Sequence, residues 1–261
     1  MIRIGIGGWT YAPWRGNFYP KTLKQADELQ FASRALTAIE INGTFYRTQS
    51  ATSFAKWRDE TPDDFVFSVK GHRAVVNKKV LAEAGEPLAW FLKSGVTELG
   101  PKLGPLLWQF APFKKFDAND FAAFLALLPK EADGVRLRHV VEVRHKSFLV
   151  PEFIDLLRKH DVAVALADSD DYPAIADVTA DFIYARLQRA EEDVAAGYDD
   201  EALSRWADRA RIWQSGGEPS DLDRVSADGS AKQARDVFIF MINGAKVRAP
   251  AAAQALIDHV G

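Results

Sequence analysis

A chain of 261 residues that is 48% hydrophobic, 26% charged and 11% aromatic lies within the range of ordered globular domains and outside that of disordered chains. Its formal net charge of −3 supplies no global basic field for nucleic acid or an anionic membrane, and the absence of cysteine excludes disulfides, thiolate nucleophiles and cysteine-ligated metal clusters. The length exceeds the common single-domain size but suits an α/β barrel, which runs to about 250 residues as one domain.

Short β-branched or apolar runs recur along the chain at residues 2–6, 37–41, 65–69, 105–109, 140–143, 162–167, 182–187 and 237–241, and each reads as a strand. Helical spacing separates them, clearest at Phe121, Phe124, Leu125 and Leu128 and at Leu203, Trp206, Ala207 and Ala210. Asp117 and Asp199 are placed as N-caps, and Pro151 and Pro250 as first-turn prolines. Eight β-then-α units spread over residues 1–261 predict a single (β/α)8 barrel of the TIM type. An open doubly wound sheet is the rival, but Gly5, Gly7 and Gly8 run into Trp9 and Tyr11 instead of a helix, a poor match to a dinucleotide-binding turn. Two stretches break the rhythm. Residues 71–87 follow the third strand as a candidate lid, and residues 216–236 form a polar tract expected to be a mobile surface loop. The opening Met1-Ile2-Arg3-Ile4-Gly5 lacks a basic leader, and no run of about 18 apolar residues occurs, so a cytoplasmic location is expected.

Pleating turns this architecture toward chemistry, because side chains two apart share a face of a strand. Ile39 and Ile41 point one way and Glu40 and Asn42 the other; Val141 and Val143 oppose Glu142 and Arg144. The apolar faces meet the outer helices, which directs both glutamates into the barrel, where an ionised carboxylate needs a partner. Lys70, Gln109, Arg144, Asp168 and Arg186 end other strands, and strand ends of a barrel converge on one mouth.

The segments GGWTYAPWRGNFYP, IEINGTFYRT, FVFSVK, LGPLLWQF, VVEVRHKSF and VALADSD, in that order, resemble the YecE-like proteins, grouped as domain of unknown function 72. The resemblance spans nearly the whole chain. It implies a TIM-type barrel and names no reaction. Carried over position by position, it marks Trp9, Tyr11, Glu40, Asn42, Phe45, Tyr46, Lys70, Gln109, Glu142, Arg144, Asp168 and Arg186. Three departures accompany it: Val76-Asn77 stands where the family has Thr-His, Leu187-Gln188-Arg189 where it continues Leu-His-Gly, and Ile242-Asn243 where it pairs asparagines.

The favoured reading is an enzyme for a small anionic substrate bearing phosphate or carboxylate, a sugar acid or sugar phosphate among them. Glu40, Glu142 and Asp168 supply acid and base. Lys70, Arg144 and Arg186 hold the anion, and Trp9, Tyr11, Asn42, Tyr46, Gln109 and Asn243 line the pocket. A Schiff base on Lys70 is a variant that nearby carboxylates disfavour. A metal-dependent phosphoester hydrolase, with nucleic acid among its substrates, would draw on Glu142, Asp168, His145 and Glu40, against the repulsion of two arginines. The third reading is a binding protein without catalysis. Each ion pair taken alone reads equally well as a device that holds strand register. No cofactor signature and no HxH or HExxH spacing appears, so neither cofactor nor metal is expected. Membrane and nucleic-acid partners are disfavoured by charge, and no feature specifies an oligomeric state.

Overall fold

The computed structural model describes residues 1–261. Eight parallel strands close into a barrel: β1 (Ile2–Gly7), β2 (Ala38–Ile41), β3 (Val66–Lys70), β4 (Leu103–Gln109), β5 (His139–Glu142), β6 (Ala163–Asp168), β7 (Phe182–Leu187) and β8 (Asp236–Met241), with β8 pairing back onto β1. The helices are α1 (Glu28–Ala35), α2 (Ala51–Glu60), α3 (Arg73–Val76), α4 (Gly85–Leu92), α5 (Ala118–Leu127), α6 (Pro151–His160), α7 (Asp200–Gln214) and α8 (Ala249–Val260). Asp117 accepts from the Asp120 amide at 2.9 Å and Asp199 from that of Ala202 at 2.6 Å, the caps that the sequence pattern placed. Pro151 opens α6, where its missing N–H costs nothing.

One expectation fails. No helix follows β6; residues 169–181 run as bends and extended chain, so the sixth unit has no outer helix. Pro173 and the Asp-rich start of the segment, Asp168 to Asp171, favour turns over a helical period. Ile175 and Val178 from this strap are buried and cover the barrel wall instead.

Both irregular stretches are better anchored than their composition implies. In residues 71–87, Val75, Val76, Leu81 and Ala84 are buried, and the Leu81 amide donates to Asp120 at 2.6 Å, so one face of the candidate lid packs along the wall while positions 73–74, 77, 79–80, 82–83 and 86 are exposed. Residues 216–235 hold no helix or strand, yet Asp177 accepts from the Val225 and Ser226 amides at 2.7 and 2.9 Å, and Ser226 and Arg235 are buried. Polar anchors hold what apolar burial cannot.

Two layers of core follow from the alternation. A large outer cluster lies between strands and helices and takes Ile39, Ile41, Val69, Val141 and Leu187. A smaller one fills the barrel with Ala38, Leu107, Val140, Ala163, Ala165, Phe182, Tyr184, Phe238 and Phe240. At the N-terminal end Arg138 closes the interior, its guanidinium 5.5 and 4.9 Å from the Phe182 and Phe238 rings and bonded to Asp236 at 2.8 Å. Lys102, also buried, donates to the carbonyls of Arg58 and Thr61 at 2.6 and 2.7 Å and so satisfies the C-terminal end of α2.

Small residues on β1 let the wall close. A Cβ on Gly5 would sit 1.8 Å from the Ala38 carbonyl oxygen, a collision with backbone that no rotamer relieves. Gly5→Ala is therefore expected to cost more than about 3 kcal/mol or abolish folding, because the strand itself must move; a urea midpoint equal to that of the wild type would refute this packing.

Candidate functional site

The top layer of the barrel interior is polar. Glu40 lies beside Ser68 in register, Gln109 beside Glu142, and Ala167 beside Arg186. Arg186, 2% exposed, forks onto Glu40, with Nε to Oε2 and Nη2 to Oε1 both at 3.0 Å, and its Nη1 donates to Glu142 Oε2. Both carboxylates are fully buried. Tyr184 donates to Glu40 Oε2 at 2.6 Å, and its hydroxyl lies 2.7 Å from Ser68 Oγ, which donates at 2.9 Å to the Pro105 carbonyl. On the other side Gln109 Nε2 and Arg144 Nε donate to Glu142 Oε1 at 3.0 and 2.8 Å. Lys70 Nζ donates to Gln109 Oε1 at 2.7 Å and sits 4.4 Å above the Phe45 ring. One hydrogen-bonded network thus joins residues of β2, β3, β4, β5 and β7.

Charge is unevenly distributed in it. Burial alone would raise the Glu142 carboxyl, but the guanidinium groups of Arg186 and Arg144, with the Gln109 amide, outweigh burial and hold it at about 2. Burial acts on Lys70 in the opposite sense and, with the nearby Arg186 charge, brings its ammonium down to about 8. Arg186 is driven further into its charged form by the two glutamates despite its burial. Burial and the Glu40 charge push the Tyr184 hydroxyl up, so it stays a donor. Three basic side chains, Lys70, Arg144 and Arg186, thus share the mouth with the two carboxyl groups of Glu40 and Glu142.

Of the residues marked by sequence, Glu40, Lys70, Gln109, Glu142, Arg144 and Arg186 come together, with Asn42 at the rim, its amide 3.4 Å from the Glu40 carbonyl oxygen. Others do not. Asp168 lies in register with Leu187 on the helix-facing side of its strand, where Arg189 reaches it at 3.5 Å; burial raises its carboxyl. Alternation itself explains this, since Ala167 takes the inward place next to Arg186. Trp9 packs outward on Trp57 and Phe67, with ring centroids 5.0 and 6.4 Å apart. Tyr11 packs on Trp14 beneath Lys246, Tyr46 is 68% exposed, and Asn243 is exposed with its amide 3.4 Å from Gln188. His145 is occupied in bonding Ser147.

Sequence reading missed Ser68 and Tyr184, which sit two residues before Lys70 and Arg186 on the same inward faces, and a strict period-2 reading would have found them. It also missed Tyr172, whose ring lies 4.2 Å from the Arg144 guanidinium. Tyr172 belongs to the helix-free strap, and no local pattern points to it. No three His, Asp or Glu side chains converge as ligands for a metal ion. Two large concavities lie elsewhere, about 730 Å³ within the 216–232 tract and about 580 Å³ between the loops after β3 and β4.

Removing Arg186 would strand two buried carboxylates. Arg186→Leu is expected to lower stability by about 3–5 kcal/mol, the cost of breaking a buried pair from one side, with partial rescue when Glu40→Leu and Glu142→Gln are added. A Tm unchanged from wild type would show that the triad contributes nothing to the fold.

The chain is similar to known proteins throughout its length. The family described as "Protein of unknown function DUF72" matches residues 3–261. Among curated relatives, the UPF0759 protein YunF of Bacillus subtilis is 27% identical over 161 residues, covering 59% of this chain and 55% of the relative. The UPF0759 protein YecE of Escherichia coli K12 is 27% identical over 149 residues, covering 57% and 50%. The matched segment thus spans about half the length of these relatives. A crystal structure of a DUF72 family protein from Thermotoga maritima superimposes with a TM-score of 0.72 at 21% identity, over 98% of this chain and 97% of that one. The barrel, the ordered motifs and a match running over almost every residue agree: the chain belongs to the DUF72 family, that of the YecE-like proteins.

Proposed function

We propose that the protein is an enzyme acting on a small anionic substrate at the barrel mouth, with Lys70 and Arg144 holding the anion and Lys70 as the proton-transferring group. The observation that carries this reading is the division of labour among the cations. Arg186 is committed to Glu40 and Glu142 and is closed to solvent, whereas Lys70 and Arg144 are partly exposed and have no carboxylate to themselves. Arg144 spends Nε on Glu142 and leaves its Nη groups for a ligand. The proton-transfer role is given to Lys70, because Glu142 is held in its charged form by Arg186, Arg144 and Gln109 and Glu40 is fixed in position by three donated hydrogen bonds. The glutamates then act as a rigid anionic frame that orients the cations. Asp168, paired with Arg189, stays outside this proposal.

The metal-dependent alternative is poorly served. His145 is turned to Ser147, Asp168 faces the other side of its strand, and each glutamate touches a guanidinium that would repel a divalent ion.

In a thermal-shift and calorimetric panel of sugar phosphates and carboxylic acids, at least one anion should stabilise the wild type. Lys70→Met and Arg144→Leu should each weaken it by about 10- to 100-fold, the ~1.5–3 kcal/mol of a hydrogen bond to a charged group. Affinity should fall as pH rises through about 8, where the folded-state ammonium of Lys70 loses its charge. No response to any anion would end this reading.

A further inference from the structure

We infer that Lys70 is a covalent site, forming an imine with small 2-oxo acids whose carboxylate rests on Arg144. The inference rests on the anion-binding reading above and deepens it by naming the substrate class. Carboxylates beside a lysine ordinarily argue against imine chemistry, because an ammonium held in an ion pair has no lone pair to donate. Here that objection is removed by geometry. Both glutamates of the cluster are turned to Arg186, no carboxylate oxygen lies within 4.0 Å of Lys70 Nζ, and the one hydrogen bond of Lys70 goes to a neutral amide oxygen. That amide cannot rotate away, since its Nε2 is tied to Glu142 at 3.0 Å.

The groups facing Lys70 are Glu40 from β2, Glu142 and Arg144 at the end of β5, and Arg186 from β7. The arginines disfavour its ammonium and the glutamates favour it. Burial, the largest influence, tips the balance so that the amine is freed as pH rises through about 8. The Phe45 ring 4.4 Å away forms one wall of the amine's surroundings. Arg144, 2.8 Å from Glu142 through Nε, keeps its remaining donors for a planar carboxylate, which it can grip with two parallel hydrogen bonds. A 2-oxo acid places its carbonyl carbon directly beside that carboxylate. The nitrogen lone pair of Lys70 attacks this carbon, and the carbonyl electron pair moves to oxygen. A proton passes from nitrogen to that oxygen to give the carbinolamine. With one proton taken from solvent, the hydroxyl departs as water, leaving a protonated imine whose positive charge the glutamate frame stabilises.

The test is reductive trapping. Wild-type protein is incubated with pyruvate or glyoxylate and borohydride, digested and mapped by mass spectrometry, with lactate, which lacks the carbonyl, compared by thermal shift. Modification concentrated at Lys70, at least tenfold above any surface lysine, lost in Lys70→Arg and faster as pH rises from 7 toward 8.5, is the expected result. Because the peptide map locates the adduct in the wild type, the inference can be judged even where the variant fails to fold. Thermal shifts with lactate and pyruvate but no adduct at Lys70 would overturn the imine and leave the anion site standing. Neither shift nor adduct would overturn both.

Discussion

Everything at the mouth of this barrel depends on one guanidinium held between two glutamates. Arg186 rises from β7, Glu40 from β2 and Glu142 from β5, so the three strands are tied across the interior at a level where side chains cannot reach bulk water. Their mutual attraction offsets a desolvation cost that none could bear alone. Once the triad is set, the remaining polar groups have little freedom. Tyr184 and Ser68 complete Glu40, Gln109 and Arg144 complete Glu142, and Lys70 is left at the edge with the oxygen of an amide.

The two ends of the interior are polar in different ways. At the N-terminal end, Arg138 lies on the faces of Phe182 and Phe238 and bonds Asp236, which also takes the terminal ammonium of Met1 at 2.8 Å. Aromatic rings and small residues fill the middle, where Ala38, Ala163 and Ala165 pack in one cluster with Tyr184, Phe238 and Phe240. At the C-terminal end a rim of partly exposed side chains, Lys70 and Arg144 among them, meets solvent. That opening is the one at which α/β barrels carry out chemistry.

How much of this was legible beforehand follows from what governs each feature. Strand number and the inward direction of Glu40 and Glu142 follow from apolar runs and period-2 alternation, both local, whereas closure of the barrel rested on length, on the poor match of the first turn to a dinucleotide-binding loop and on the family resemblance. The same alternation, followed one residue further, separates Asp168 from the cluster, a step that a search for polar strand ends passes over. Which cation pairs with which carboxylate depends on cross-barrel geometry and was not legible. Arg186 has the sequence appearance of an open anion-binding group and the structural position of a counter-ion. Trp9 and Tyr11 read from sequence as pocket lining, and the structure packs them against Trp57, Phe67 and Trp14. Arg189, one of the departures from the family pattern, shows its consequence only in three dimensions, where it reaches Asp168 and Asp170.

The helix-free connection after β6 has a consequence for motion. Elsewhere the barrel wall is backed by helices whose amides are locked in their own ladders; here it is backed by Ile175 and Val178 on extended chain, with Thr179 tying the Val162 carbonyl and Val164 amide. Local opening costs least where backbone hydrogen bonds are fewest. The seam beside β6 is thus a part of the wall with no helical ladder behind it, and Tyr172, whose ring lies 4.2 Å from the Arg144 guanidinium, belongs to it. One face of the Arg144 guanidinium is therefore covered by a side chain on helix-free backbone, while its Nε is fixed by a strand-borne carboxylate.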